Sequence, residues 1–163
     1  MDDEAVMAFY ERTVSDVHRY ASRLCGGNRP ATEELVQNAY LALVKHVRAH
    51  PDDDIDLNWL IVDCRNRFVD RLPSDDVRAR REAKAAALRQ AQDAGEHEQV
   101  VMLRTLSGLS PDERFAIVLR YVDDLTVAQV AKALGRSVRA TEAVLTRARA
   151  ALHKATAEVV LDG

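Results

Sequence analysis

The stretch TVAQVAKALGRSVRATEAVLTRARAAL, Thr126–Leu152, decides the fold. Read as one helix, it carries a glycine in its interior, at a cost of about 1 kcal/mol relative to alanine. Read as two, every residue has a place. Thr126 and Gln129 form a capping box at the start of a short helix, in which a hydroxyl and an amide satisfy each other's backbone N–H groups. Val127, Val130, Ala131 and Leu134 form its inner stripe, and Gly135 ends it. Ser137 caps a longer basic helix whose inner positions are Ala140, Val144, Leu145, Ala148 and Leu152. The small residues Ala131 and Gly135 lie four apart, where two helices must approach closely. The spacing predicts a helix-turn-helix.

Working toward the N-terminus, Ser110-Pro111-Asp112-Glu113 is a second capping box, with proline suited to the first helical position. Phe115, Val118, Leu119 and Val122 continue that helix, and Val100, Leu103 and Leu106 begin one before it. Residues 73–99 are polar and alanine-rich with little to bury, and read as an interdomain connector. Three amphipathic helices precede it. The first runs from about Glu4 to Leu24, with Val6, Phe9, Tyr10, Val14, Val17, Tyr20, Ala21 and Leu24 on one face. Gly26-Gly27-Asn28 stops it. The second follows Pro30 and reaches about Val47, with Leu35, Val36, Ala39, Tyr40, Leu43, Val44 and Val47 inside. The third runs from Asp56 or Leu57 to Leu72 on Leu60, Ile61, Cys64, Phe68, Val69 and Leu72. The expectation is therefore all-α: two small helical bundles, residues 1–72 and 100–163, joined by a polar linker over 73–99.

Composition agrees. The 163 residues are 47% hydrophobic and 30% charged, with only 5% aromatic, a balance suited to a helical globule. The net charge of −3 argues against a general polyanion binder. Its distribution says more: net −4 over residues 1–72, −1 over 73–100 and +2 over 101–163. Arg136, Arg139, Arg147, Arg149 and Lys154 face a single acid, Glu142, which is a candidate footprint for nucleic acid. The acidic N-terminus lacks the basic start and apolar block of a signal peptide, and no apolar run approaches the ~20 residues of a membrane span. Cys25 and Cys64 have no CxxC partner and read as reduced, buried thiols of a cytosolic protein.

Three segments carry a family resemblance. EELVQNAYLALVKHV (Glu33–Val47), NWLIVDCRNRFVDRL (Asn58–Leu72) and the stretch from Leu109 to Leu152 resemble, in that order, the signatures of bacterial RNA polymerase sigma factors of the small two-domain extracytoplasmic-function class. The resemblance implies that the outer face of the second helix docks on a coiled coil of the largest subunit of core RNA polymerase. The matching positions are Glu34, Leu35, Gln37, Asn38 and Leu41; Asn38 stands where the family usually has Glu. It implies −10 recognition and melting by the loop after the second helix and the surface of the third, with Arg48, His50, Asn58, Arg65, Asn66, Arg67 and Arg71 as candidates. Arg and Asn suit phosphates and base edges alike. Four carboxylates at Asp52, Asp53, Asp54 and Asp56 oppose phosphate there.

For the −35 element, the helix-turn-helix offers Arg136, Ser137, Arg139, Glu142 and Thr146 near base edges, with Thr126, Arg147 and Arg149 toward the backbone. Glu142 and Val144 depart from a family pattern that is more basic there, so the family's usual promoter sequence does not carry over. An anti-sigma factor acting in trans is a further implied partner. The alternative is a stand-alone helix-turn-helix regulator with an N-terminal sensor or dimerisation domain, but such a regulator need not carry the two N-terminal signatures. An enzyme is a distant third, since no nucleophile elbow or phosphate loop is present. The histidines read as surface or capping residues, and no cofactor or metal is expected. Asp52, Asp54, Asp56 and Asp63 match calcium-loop spacing, but Leu57 occupies the position that needs glycine.

Overall fold

The computed structural model describes residues 1–72 and 97–162, and the described residues are helical without strands. The chain divides into two compact units, Met1–Asp70 and Arg71–Gly163. The connector expected over 73–99 lies outside the described residues up to 96. The helix after it begins at His97, ahead of the expected Val100.

The first unit is a bundle of α1 (Asp3–Leu24), α2 (Arg29–Ala49) and α3 (Leu57–Asp70), each packed on the other two. Local chemistry sets the ends. The Asp2 carboxylate accepts the Ala5 N–H at 2.8 Å, and the Asn28 side chain accepts that of Ala31 at 3.1 Å. Asp56 Oδ1 accepts the Trp59 N–H at 3.0 Å to start α3. Each satisfies a donor that a helix N-terminus leaves open. Gly26 and Gly27 take positive φ between α1 and α2. The predicted stripes make the core: Phe9, Val17, Tyr20, Ala21 and Leu24 meet Leu35, Val36, Ala39, Leu43 and Val47, with Leu60 and Cys64 from α3. Tyr10 was expected inside but is exposed; its ring meets Tyr40 edge-on at 4.8 Å. Thr13 gives its one hydroxyl proton to the Phe9 carbonyl at 2.7 Å, so Tyr40 is the donor to Thr13 at 2.8 Å. Burial pushes the Tyr40 phenol up from its usual range, which keeps that proton in place.

The second unit contains α4 (His97–Ser107), α5 (Pro111–Ile117), a π-helical turn (Val118–Val122), α6 (Val127–Leu134) and α7 (Val138–Asp162). Helix α7 is its spine, packed by α4, α5 and α6. Leu106, Leu109, Phe115, Ile117, Val118, Leu119, Val130, Leu134, Val144, Leu145 and Ala148 fill the core. The sequence reading continued α5 as a regular helix to a buried Val122; instead Val122 is exposed. The Asp123 N–H reaches back five residues to the Val118 carbonyl at 3.1 Å, and this wider turn shifts the register. Asp124 then takes φ 54°, the one non-glycine residue at positive φ among those described.

One ion pair ties the start of α5 to the α6–α7 turn. Arg136 Nη2 lies 2.7 Å from Asp112 Oδ2, with side chains 18% and 8% exposed. Removing one partner of such a pair strands a charge away from water. Asp112→Ala is therefore expected to destabilise the protein by about 3 kcal/mol, measured by urea unfolding, with Arg136→Ala nearly as harmful and the double variant less than the sum.

Cys64 gives a second test. Burial, with Asp63 adding to it, pushes its thiol up to about 12 from 9.0. The folded chain holds a proton that the unfolded chain releases above pH 9. The thiol's contribution to stability is thus full below pH 9 and is lost as pH rises toward 12. At pH 8, Ellman's reagent is expected to modify Cys64 only as fast as the chain unfolds.

Candidate nucleic-acid interface and docking face

Helices α6 and α7 build the first surface. Thr126 Oγ1 accepts the Gln129 N–H at 3.2 Å while Gln129 Oε1 accepts that of Thr126 at 2.9 Å, the reciprocal cap expected from the sequence. Gly135 takes φ 66°, ψ 33°, a conformation a side chain rarely adopts. A Cβ added there would meet nothing within 4 Å, so backbone conformation alone selects glycine. The Arg136 N–H then closes on the Ala131 carbonyl at 3.0 Å. Ser137 Oγ accepts the Ala140 N–H at 3.1 Å and starts α7. The Thr141 hydroxyl, fully buried, donates to the Ser137 carbonyl at 2.9 Å.

Past this cap, Arg139, Glu142, Thr146, Arg147 and Arg149 are exposed. Arg139, Glu142 and Thr146 fall at helical spacing, on one face of α7. The Thr146 proton is committed to the Glu142 carbonyl at 2.8 Å, so its oxygen is left to accept. Arg149 Nε donates to the Tyr121 hydroxyl at 2.7 Å, and its guanidinium carbon lies 5.8 Å from that ring's centre. Arg120 approaches the same ring at 5.6 Å. Tyr121 was not singled out from the sequence; its partnership depends on the π-helical turn, which no residue pattern announced. Arg136 is a correction. Its guanidinium is turned inward onto Asp112, so it holds the turn and is not projected outward with Arg139 and Glu142. Val138, 46% exposed in the first turn of α7, is an apolar group beside Arg139 that the sequence reading placed nowhere.

The second surface is the outer side of α2. Glu34, Gln37, Leu41 and Lys45 are exposed and Asn38 half-buried. Leu41 is 53% exposed, an apolar side chain ringed by amides and charges. Leu35 must be removed from this face: it is 1% exposed and points into the bundle, one position out of phase with the exposed stripe. Beside Leu41 a groove of ≈ 450 Å³ is lined by Asn38, Leu41, Ala42, Lys45, His46, Trp59 and Arg67.

The remaining candidates do not form one patch. Arg48 and His50 are exposed at the end of α2, and Asn58 in the first turn of α3. Arg65, seven residues on, returns to the face of Asn58, with Asn66 beside it. Arg67 is about half a turn away and lines the α2 groove, its Nε held by Asp63 Oδ2 at 2.6 Å. Arg71 follows Arg67 one turn later. Two carboxylates of the calcium-like spacing are engaged within the chain: Asp56 caps α3 and Asp63 holds Arg67. His46 and His50 lie one helical turn apart with stacked rings, a pairing that the reading of the histidines as surface or capping residues did not include. No described helix is long and apolar enough to cross a membrane.

Comparison with known proteins adds four findings. Residues 99–152 match the family model for sigma-70 region 4, which spans the helix-turn-helix. The chain is 28% identical to an ECF RNA polymerase sigma factor SigK of Mycolicibacterium vanbaalenii, over 94% of this chain and 82% of that protein. It is 24% identical to the ECF RNA polymerase sigma factor BldN of Streptomyces coelicolor, over 89% of this chain and 58% of that one. In fold, it resembles the sigma factor RpoE of Bartonella quintana, solved with the anti-sigma factor NepR. The TM-score is 0.56 at 17% identity, covering 90% of this chain and 92% of that one. Residues 99–152 thus match sigma-70 region 4, and over nearly its whole length the chain is similar to sigma factors of the extracytoplasmic-function class.

Proposed function

We propose that the chain is a dissociable promoter-specificity subunit that acts on core RNA polymerase in the cytoplasm. The observation that carries this reading is the pairing of two unlike surfaces on separate units. One is an amide-rich face centred on an exposed leucine; the other is a basic helix-turn-helix. A stand-alone regulator needs only the second. In this reading residues 1–72 dock on the polymerase and open the −10 element, 73–99 link, and 100–163 read the −35 element.

On the polymerase, Leu41 supplies the apolar centre that a protein interface places among polar groups. Gln37, Asn38 and Glu34 form its rim. Asn38 offers a neutral contact where relatives often carry a carboxylate, which makes docking less dependent on charge and salt. At the −10 element, Arg48 and His50 at the end of α2 and Asn58, Arg65 and Asn66 on α3 flank the acidic loop in sequence, while Arg67 lines the α2 groove. The loop's carboxylates repel duplex phosphate, so phosphate contacts there are few and selectivity for an unpaired base is raised.

At the −35 element, α7 enters the major groove by its N-terminal turns. Arg139 takes a guanine edge through two hydrogen bonds, and Glu142 accepts from a cytosine amino group. Thr126, Ser137, Arg147 and Arg149 contact the backbone, Arg149 already held in place by Tyr121. The cationic excess of this unit is small, so binding to DNA by the chain alone is weak. A protein antagonist acting in trans completes the set of partners, as RpoE and NepR illustrate for the structural relative.

The test is transcription in vitro with core polymerase and a genomic promoter library. Initiation is expected at a restricted set of promoters. Leu41→Arg is expected to abolish capture of core in a pulldown while leaving the circular dichroism of the chain unchanged. Arg139→Ala is expected to weaken promoter binding by about 1–3 kcal/mol. Glu142→Gln is expected to relax discrimination at one base pair. No capture of core and no transcript would overturn the proposal.

A further inference from the structure

The C-terminal end of α2 gathers a set of donors, one of which, His46, also lines the groove beside Leu41 and another, His50, also counts among the −10 candidates. His46 and His50 lie four residues apart, the spacing that puts two side chains on one face of a helix. Their rings stack with centres 4.7 Å apart. The chain then turns through Pro51 and brings Asp53 back, its N–H bonded to the His50 carbonyl at 3.2 Å. Asp53 Oδ2 lies 2.8 Å from His46 Nε2. One donor atom from each of the three side chains lies within 4.8 Å of the other two. Two ligands of one tetrahedral zinc ion stand about 3.3 Å apart, from bond lengths near 2.0–2.1 Å. The observed 2.8 to 4.8 Å brackets that value, so rotamer adjustments of under an ångström or two suffice.

We propose that His46, His50 and Asp53 form a site for a divalent transition-metal ion of the zinc class. Two imidazoles and one carboxylate are the donor set that such ions prefer over calcium or magnesium, which take oxygen alone. The site is built beforehand. His46 is only 27% exposed, and its ring also rests against Trp59 at 5.1 Å. His50 Nδ1 lies 3.3 Å from the His46 carbonyl oxygen. A ring that donates there keeps its Nε2 lone pair for a metal, the outer contact that commonly orients a metal-binding histidine. The neighbours Asp52, Asp54 and Asp56 add negative potential that draws a cation. Three protein donors leave the fourth position to water, so the ion is held at the surface of α2 and clips the α2–α3 loop to the helix end. The site stands independently of the promoter reading, because it needs only the first unit's own fold.

The test is calorimetric titration of the full, tag-free chain with Zn²⁺ alone. One equivalent is expected to bind, and the His46 and His50 ring resonances are expected to shift in proton NMR while those of His18 and His153 stay. His50→Ala and Asp53→Asn change exposed residues and leave the bundle core intact. Each is expected to weaken Zn²⁺ binding by roughly tenfold or more, with His153→Ala unchanged. Absence of saturable one-to-one binding, or binding retained in both variants, overturns the proposal.

Discussion

The reading surface of the second unit depends on how the chain turns between α6 and α7, and two constraints fix that turn. Gly135 supplies a left-handed backbone conformation that the reversal demands. The Asp112–Arg136 pair then fastens the residue after the glycine to the first turn of α5. Neither is enough alone. A glycine permits many geometries, and an ion pair against a floating loop would gain little over its desolvation. Together they set the angle at which α7 leaves α6, and with it the direction in which Arg139, Glu142 and Thr146 project. The pair's value lies in that orientation more than in net stability.

The first unit answers a different requirement. Its three helices bury one stripe each, and what is left outside on α2 is a polar face with Leu41 exposed among amides and charges. The same helix ends in two histidines and leads into an acidic loop, so a single element carries three unlike surfaces along its length. The geometry of α3 sorts the basic residues in turn: half a helical turn divides Arg67, in the α2 groove, from Asn58 and Arg65. A list of arginines by sequence could not make that division, because it ignores which side of the helix each one occupies.

The sequence reading succeeded where chemistry is local. Capping boxes at Ser110 and Thr126, the stop at Gly135 and the cap at Ser137 are decided within four residues, and each is present. Apolar stripes at helical spacing found most of both cores. It failed where distant residues or backbone register decide. Leu35 was placed on the docking face by the family match as well as in the inner stripe, and it belongs only to the stripe with Val36, Ala39 and Leu43. Arg136 was given to DNA because it opens a basic helix; its partner Asp112 lies 24 residues upstream. Val122 came out of the core because one wide turn shifts the register. The histidine pair was overlooked although its spacing is visible in the sequence; only the return of Asp53 shows that the pair has a third member.

The central claim is that specificity is expressed only on the polymerase. It is tested most directly by fluorescence anisotropy of a labelled promoter and of a scrambled duplex. Each is titrated at one salt concentration with the chain alone and with the chain bound to core. The account predicts weak binding by the chain alone, nearly equal for the two duplexes, and strong preference for the promoter once core is present. Tight, promoter-selective binding by the chain alone, unchanged by core, would contradict it and make the protein a stand-alone regulator.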